Sequence, residues 1–291
     1  MKHHFGDLLD REGDYWTVVP NRDRYAYRIA DVPVGSADVI IATIGSDDEC
    51  WENVFSFPHL EELTLHEPSP EQLEAISGMS RLKRLRVTHA RPANIEFIRS
   101  LSNLEEVVLE YVSGFSDLAP LASLRMLKSL HIENLRRVRD FSGLSGISSL
   151  RYLHIDGTLD WKQPIADFEF LRGLPNLEVL SFGQVINKTP FPALLPALTL
   201  RHLKRLRLTW NMLATEEYAL LEVGLPDVKG TQWGPFTRFP YGGGVEWFEF
   251  TGKGAGRAKC GAAESDRKCA DFAGKYELMK KHAADVISKA V

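Results

Sequence analysis

Leucine and other aliphatic residues recur along this chain in one spacing pattern that is repeated in frame. The first copy is L-x-x-L-x-L at Leu60, Leu63 and Leu65, and six more copies follow it. The first residues of successive copies are 22, 22, 23, 23, 27 and 26 positions apart. A fixed period of this length indicates a repeat architecture. The central apolar residues of the copies are Leu63, Leu85, Val107, Leu130, Leu153, Leu180 and Leu206.

Each copy combines two different periodicities. The final L-x-L step places two apolar side chains on one face of a short strand. Upstream of it, apolar residues occupy every third position, as at Leu118, Leu121 and Leu124, which is the spacing of a 3₁₀ turn or a short, tight helix. One such unit cannot bury its own leucines, whereas stacked units can. The pattern predicts an α/β solenoid with a curved parallel sheet on the concave side and short helices on the convex side.

The repeats resemble the leucine-rich repeat family over residues 60–233. The segment F-S-D-L-A-P-L at 115–121 is similar to the 22-residue, internalin-like subclass of bacterial type, in which a polar turn precedes a convex helix. The resemblance implies a protein-binding module that acts as an adaptor, an inhibitor such as a toxin-neutralising immunity protein, or an effector. The family usually has Asn three residues after the last strand leucine, where it bonds loop backbone. Here those positions are Pro68, Ala90, Val112, Leu135, Thr158, Val185 and Asn211, so we expect apolar packing in the turns.

The two ends of the repeat array need caps, because a terminal repeat exposes a core face. We predict an N-terminal cap over 1–36, the solenoid over 37–233 and a C-terminal cap over 234–291. Tyr15–Val19 and Arg24–Ile29 flank the turn-forming residues 20–23, which favours a β-hairpin in the first cap. The second cap combines a strand at Val245–Phe250 with an amphipathic helix over 263–290. Residues 252–291 carry nine Lys and Arg against five Asp and Glu, and we interpret this helix as a cap with a solvated basic face.

Composition places the chain among globular proteins and excludes several other classes. Hydrophobic residues make up 44% and charged residues 25%, with a net charge of −4, which argues against wholesale disorder and against a dedicated nucleic-acid binder. No apolar run is long enough for a transmembrane helix, and the N-terminal residues do not resemble a secretory signal. The three cysteines are too few for a disulfide framework. We therefore expect a cytoplasmic protein.

The strand positions between and beside the leucines face the concave surface, and their chemistry is zoned. The middle of this surface is acidic, the two flanks carry arginine pairs, and aromatic residues are interspersed, which is a composition typical of protein recognition. We predict that the concave surface binds a protein partner. The candidate partner-binding residues are Arg84, Arg86, Glu106, Glu110, Tyr111, His131, Glu133, Tyr152, His154, Asp156, Arg205, Arg207 and Trp210.

Two other functions remain open at this point. His131 and His154 occupy the same position on adjacent strands, with Glu133 and Asp156 beside them, and such a set could hold the metal of an enzyme. We favour two exposed histidines on a solvated face, and hence no metal, no cofactor and no catalytic residue. No nucleophile elbow, H-E-x-x-H or P-loop motif occurs in the sequence. The basic C-terminal helix could alternatively bind nucleic acid or an anionic surface.

Overall fold

A ten-stranded, largely parallel sheet forms the spine of the molecule. The computed structural model describes residues 29–231, 233–241 and 244–290, and it gives the backbone of four short strands within residues 1–28. The strands are β1 (Lys2–His3), β2 (Leu8–Glu12), β3 (Tyr15–Val19), β4 (Ala26–Arg28), β5 (Ile41–Gly45), β6 (Glu62–His66), β7 (Arg84–Thr88), β8 (Glu106–Glu110), β9 (Ser129–Glu133), β10 (Tyr152–Asp156), β11 (Gln163–Pro164), β12 (Val179–Phe182), β13 (Val185–Ile186), β14 (Arg205–Leu208), β15 (Phe236–Tyr241), β16 (Val245–Phe250) and β17 (Arg257–Lys259).

The predicted parallel sheet through the repeats is confirmed. Its strand order is β1-β4-β5-β6-β7-β8-β9-β10-β12-β14, so successive repeats lie side by side. The repeat leucines pair in register, and Leu130 lies opposite Val107 on one side and Leu153 on the other. These side chains are buried on the inner face of the sheet, where the aliphatic residues of the returning segments meet them.

Short helices return the chain on the convex side, as the three-residue spacing predicts. The α-helices are α1 (Pro70–Ala75), α2 (Thr215–Gly224) and α3 (Ser265–Ala290), and the 3₁₀ helices are Ile29–Asp31, Trp51–Ser56, Ile76–Gly78, Glu96–Ser100, Ala119–Ser123, Ser142–Leu144, Glu169–Gly173 and Leu195–Thr199.

Polar side chains start several of these helices. The carboxylates of Asp117, Asp140 and Asp167 each accept a hydrogen bond from the backbone N–H two residues on, at 2.8 or 2.9 Å. Helix α1 begins with a capping box, in which Ser69 and Gln72 each accept from the other's backbone N–H. These local bonds fix where each helical return begins, which keeps successive repeats in register.

The turns after the strands are held by a backbone ladder in place of the asparagines usual in the family. Glu67, His89, Tyr111 and Asn134 follow successive strands with positive φ values of 51–56°, a conformation that side chains other than glycine seldom adopt. Each donates its backbone N–H to the carbonyl that ends the next strand, as Tyr111 does to Glu133 at 2.9 Å. Ala90, Val112 and Leu135, which follow three of these residues, are buried, as is Val185 in a later repeat. Apolar packing therefore occurs in four of the seven turns, whereas Pro68 and Thr158 are partly exposed and Asn211 is exposed.

The predicted pairing of the N-terminal hairpin is wrong. Strand β3 pairs antiparallel with the preceding β2, whereas β4 joins the main sheet, antiparallel to β1 and parallel to β5. Alternation identifies a strand but not its partner, and Leu8–Glu12 carries no clear alternation. The predicted turn at 20–23 lies outside the described residues. The β2–β3 pair contacts β8 and β10, and the division of the chain at 36 and 233 stays a prediction.

The C-terminal cap contains more sheet than the sequence predicts. Strands β15, β16 and β17 form an antiparallel sheet, of which the sequence predicts only the strand at Val245–Phe250. Gly252 fastens this sheet to the last repeat, since its N–H donates to the Trp210 carbonyl at 2.7 Å. Gly252 has a φ of +117°, and a Cβ here would lie 2.2 Å from the Thr215 hydroxyl. Glycine is therefore required at this junction.

Candidate functional site

The sheet register places the predicted concave residues in continuous rows across the strands. Arg86, His131, His154 and Arg207 belong to one row, and the row beside it contains Glu110, Glu133 and Asp156. Parallel pairing with no offset between repeats produces this alignment, because each repeat presents the same strand position to its neighbour. The structure therefore brings the acidic middle and the histidine pair together as the sequence predicts.

The arginines of the N-terminal flank are engaged in ion pairs within the sheet. Arg84 bonds Glu106 at 2.8 Å and also contacts Glu62, and Arg86 bonds Glu110 at 2.9 and 2.5 Å. Although burial opposes its charge, the two carboxylates raise the pKa of Arg84. Carboxylates of the sheet itself thus neutralise the charge of both arginines, and this flank presents less positive charge than the sequence suggests.

Several predicted anchors are buried, which corrects the expectation of a fully solvated concave face. Tyr152 is only 1% exposed and His131 only 6%, and Glu106 and Arg86 are also buried. Curvature draws side chains of neighbouring strands together, and the β2–β3 pair contacts β8 and β10. Burial raises the pKa of the Tyr152 hydroxyl. These side chains shape the floor of the surface and are not accessible to a partner in this arrangement.

The histidines and carboxylates at the centre form a compact cluster. We call Glu110, His131, Glu133, His154 and Asp156 the histidine–carboxylate cluster. The two imidazole rings stack with centroids 4.3 Å apart and planes inclined by 13°. Nε2 of His131 lies 4.0 Å from Glu110 and 3.9 Å from Glu133, while Nε2 of His154 lies 3.6 Å from Asp156.

The protonation states of this cluster follow from burial and from neighbouring charge. Burial, together with the adjacent His154, lowers the pKa of His131 well below its usual value. Burial and the charge of Asp156 raise the pKa of Glu133. Burial would also raise the pKa of Asp156, but hydrogen bonds from His154 and from the backbone N–H groups of Gln184 and Gly157 lower it. His131 is therefore neutral and Asp156 is ionised at neutral pH.

Aromatic side chains line the rim of the surface, where the strands end. Tyr111 is 41% exposed and stacks on His89 with a 4.8 Å centroid separation and nearly parallel planes. His66 packs edge-on against His89 at 5.4 Å. The positive-φ backbone of His89 and Tyr111 fixes where these rings leave the turns, so the rim is rigid. The predicted anchor Tyr111 is accessible.

A second aromatic group, which sequence reasoning missed, continues the surface beyond its C-terminal flank. Trp210 contacts Phe239 at 5.5 Å, Phe239 contacts Tyr241 at 5.3 Å, and Tyr241 contacts Trp247 at 6.5 Å. Arg257 lies 4.5 Å over the Trp247 ring. We call Trp210, Phe239, Tyr241 and Trp247 the C-terminal aromatic row. The available signal was Phe239 and Tyr241 two positions apart in F-T-R-F-P-Y at 236–241, but Phe236 is out of phase with them, and Pro240 and the unknown pairing partner obscured it.

The basic C-terminal helix packs on helix α2, which follows the last repeat. Helix α3 packs on α2 through Tyr276, Met279 and Ala283. The Tyr276 hydroxyl bonds Glu222 at 2.8 Å, and Lys280 pairs with the same carboxylate at 2.9 Å. These contacts cover the last repeat, so the apolar face of α3 is accounted for by packing within the chain.

Similarity to known proteins is found among solved structures. No protein-family model matches it, and no curated protein matches it. Among solved structures it is similar to internalin C2 of Listeria monocytogenes, with 25% identity, a TM-score of 0.39, and coverage of 54% of this chain and 65% of that one. The chain folds as a leucine-rich repeat solenoid. This conclusion rests on the in-register parallel strands and the periodic leucine core described above.

Two further solved structures show the same general likeness. A second L. monocytogenes internalin, inlF, is 17% identical, with a TM-score of 0.42 and coverage of 75% of this chain and 70% of that one. The Toll chain of the Drosophila Toll–Spatzle complex is 16% identical, with a TM-score of 0.39 and coverage of 72% and 32%. Among the residues that the structure describes, no helix is both long and apolar enough to span a membrane.

Proposed function

We propose that this leucine-rich repeat protein is a non-enzymatic binding module that holds a protein partner on the accessible part of its concave surface. The observation that carries the proposal is the juxtaposition of exposed Tyr111, the partly exposed carboxylates of Glu133 and Asp156, and half-buried Trp210 along the edge where the strands end. Aromatic anchors beside charged groups, held without conformational freedom, are typical of energetic hot spots. Whether the module serves as adaptor, inhibitor or effector depends on the partner.

The proposed surface is narrower than the thirteen candidate residues. It runs from Tyr111 across Glu133 and Asp156 to the half-buried Arg205, Arg207 and Trp210, and it continues onto the C-terminal aromatic row. Tyr152, Glu106 and Arg86 stay beneath it as support. The acidic centre favours a partner with basic side chains there, since complementary charge speeds association and fixes register.

A bacterial, cytoplasmic setting is part of the same proposal. Cys50, Cys260 and Cys269 are all free thiols, which fits a reducing compartment. The repeat spacing of the internalin-like subclass supports the bacterial origin.

Alanine variants of the anchors test the proposed surface. We expect Tyr111→Ala, Arg207→Ala and Trp210→Ala each to weaken partner binding by about 30-fold, because truncation of a hot-spot residue costs about 2 kcal/mol. Binding is measured by surface plasmon resonance against a partner recovered with the wild-type chain. Glu133→Lys is expected mainly to slow association, and raised salt should reproduce its effect.

Arg99→Ala on the convex side is the matched control for Arg207→Ala, because Arg99 is exposed and pairs with Glu96 far from the concave surface. It should bind like the wild type, and all variants should keep the wild-type melting temperature. If every concave variant binds normally while deletion of 263–291 abolishes binding, the recognition surface is α3 and the proposal is wrong.

A further inference from the structure

Three potential metal-binding atoms converge at the centre of the concave surface. They belong to Glu110 on β8 and to His131 and Glu133 on β9, and all three lie within 4.8 Å of one another. Nε2 of His131 is 4.0 Å from one Glu110 oxygen and 3.9 Å from one Glu133 oxygen. Both separations are too long for hydrogen bonds, so the three groups face one another across a small gap.

The distances across this gap are close to the distances between the donor atoms that bind one ion. Zinc bonds of about 2.0–2.2 Å in a tetrahedral site place neighbouring donor atoms about 3.4 Å apart. The two separations from His131 exceed that value by about 0.5 Å, and the Glu110 and Glu133 oxygens lie within 4.8 Å of each other. Side-chain rotations would bring all three donor atoms onto one ion. Register fixes the backbones, since Glu110 pairs directly with Glu133, and His131 lies two positions before Glu133 on the same face. The donor set is thus positioned by the sheet itself.

The surroundings hold these ligands in the required orientation. The guanidinium of Arg86 bonds Oε2 of Glu110, and Oε1 of the same carboxylate is the oxygen that lies 4.0 Å from His131. The stacked ring of His154 fixes the plane of the His131 imidazole. These two contacts restrict the orientations of the Glu110 carboxylate and the His131 ring.

His131 provides the second, independent observation. Its side chain is nine-tenths buried, yet Nδ1 is enclosed without a hydrogen-bond partner, and Nε2 points at two carboxylates beyond bonding distance. Buried polar groups without partners are costly and uncommon in native proteins. The ring thus has no hydrogen bond at either nitrogen, and a cation between Nε2 and the two carboxylates would give Nε2 a strong interaction.

We propose that Glu110, His131 and Glu133 bind one divalent transition-metal ion of the zinc class. The imidazole nitrogen favours zinc and its first-row neighbours, because Mg²⁺ and Ca²⁺ prefer oxygen ligands throughout. The expectation of no bound metal rested on two exposed histidines, and the burial of His131 removes that premise. The ion would bind without any protein partner.

Titration of the chelator-stripped, dialysed full-length chain with Zn²⁺ alone, followed by calorimetry, tests the proposal. We expect about one ion per chain and a higher melting temperature in its presence. His131→Gln and Glu133→Gln should each weaken zinc affinity by at least about 100-fold, since even outer-shell changes cost 10- to 100-fold. Glu133 is partly exposed, so Glu133→Gln tests the site even if His131→Gln folds poorly.

His202→Gln is the matched control, because His202 is exposed and lies in a turn outside the strands that carry the cluster, and this variant should bind zinc as the wild type does. The absorption spectrum of the Co²⁺-loaded protein distinguishes this site from one built on the three thiols. Imidazole and carboxylate ligands give no thiolate charge-transfer band, whereas cysteine ligands do. Absence of stoichiometric binding, or zinc affinity unchanged in both ligand variants, overturns the proposal. A thiolate band lost on cysteine substitution does so as well.

Discussion

Leu130→Asp is expected to reduce the free energy of unfolding by at least about 4 kcal/mol, because it buries a carboxylate that no cation can reach. Leu130 is 0% exposed and sits between Val107 and Leu153 in the repeat core. Each repeat of a solenoid is stabilised by its neighbours, so the damage should spread to adjacent units. Urea denaturation measures the loss, and hydrogen exchange shows faster exchange in β8 and β10 as well as β9.

Met126→Asp is the matched control for this substitution. Met126 is 45% exposed and lies four residues earlier in the same repeat, so the same new charge stays in water and should change stability by less than about 1 kcal/mol. If both variants lose the same stability, added charge and not core burial is responsible.

Gln163→Leu is expected to cost about 2–4 kcal/mol although it makes the interior more apolar. Gln163 is fully buried; its amide oxygen accepts the Leu135 N–H at 2.9 Å, and its amide nitrogen donates to the Val138 carbonyl at 2.8 Å. Leucine has a similar size but satisfies neither group, and each unsatisfied buried group costs about 1–3 kcal/mol. Chemical denaturation measures the loss, and amide exchange should accelerate at Leu135.

Gln184→Leu is the corresponding control. Gln184 is partly exposed and lies on the segment leading into β13, which pairs with β11 beside Gln163. Its replacement should change stability by no more than about 0.5 kcal/mol. Equal losses in the two variants would assign the effect to the added apolar side chain and not to the lost hydrogen bonds.

Gln163 also shows where prediction from the sequence stops. The 27-residue spacing between Leu150 and Leu177 identifies an insertion, but no periodic signal indicates that its glutamine turns inward and bonds the preceding turn. The histidine pair was predicted from the repeat frame alone, because strand position determines which residues are neighbours. The burial of His131 could not be predicted, since it depends on curvature and on contacts from distant segments.

The sequence by itself determined the solenoid: the in-frame leucines, the two periodicities and the rows of the concave face all follow from local spacing repeated along the chain. Only the tertiary structure decided the partners of β3 and β4, the ion pairs of Arg84 and Arg86, the burial of Tyr152 and the meeting of Trp210 with the C-terminal sheet. The physical reason is that period determines which face of an element a side chain occupies, whereas exposure and charge pairing depend on what packs against that face.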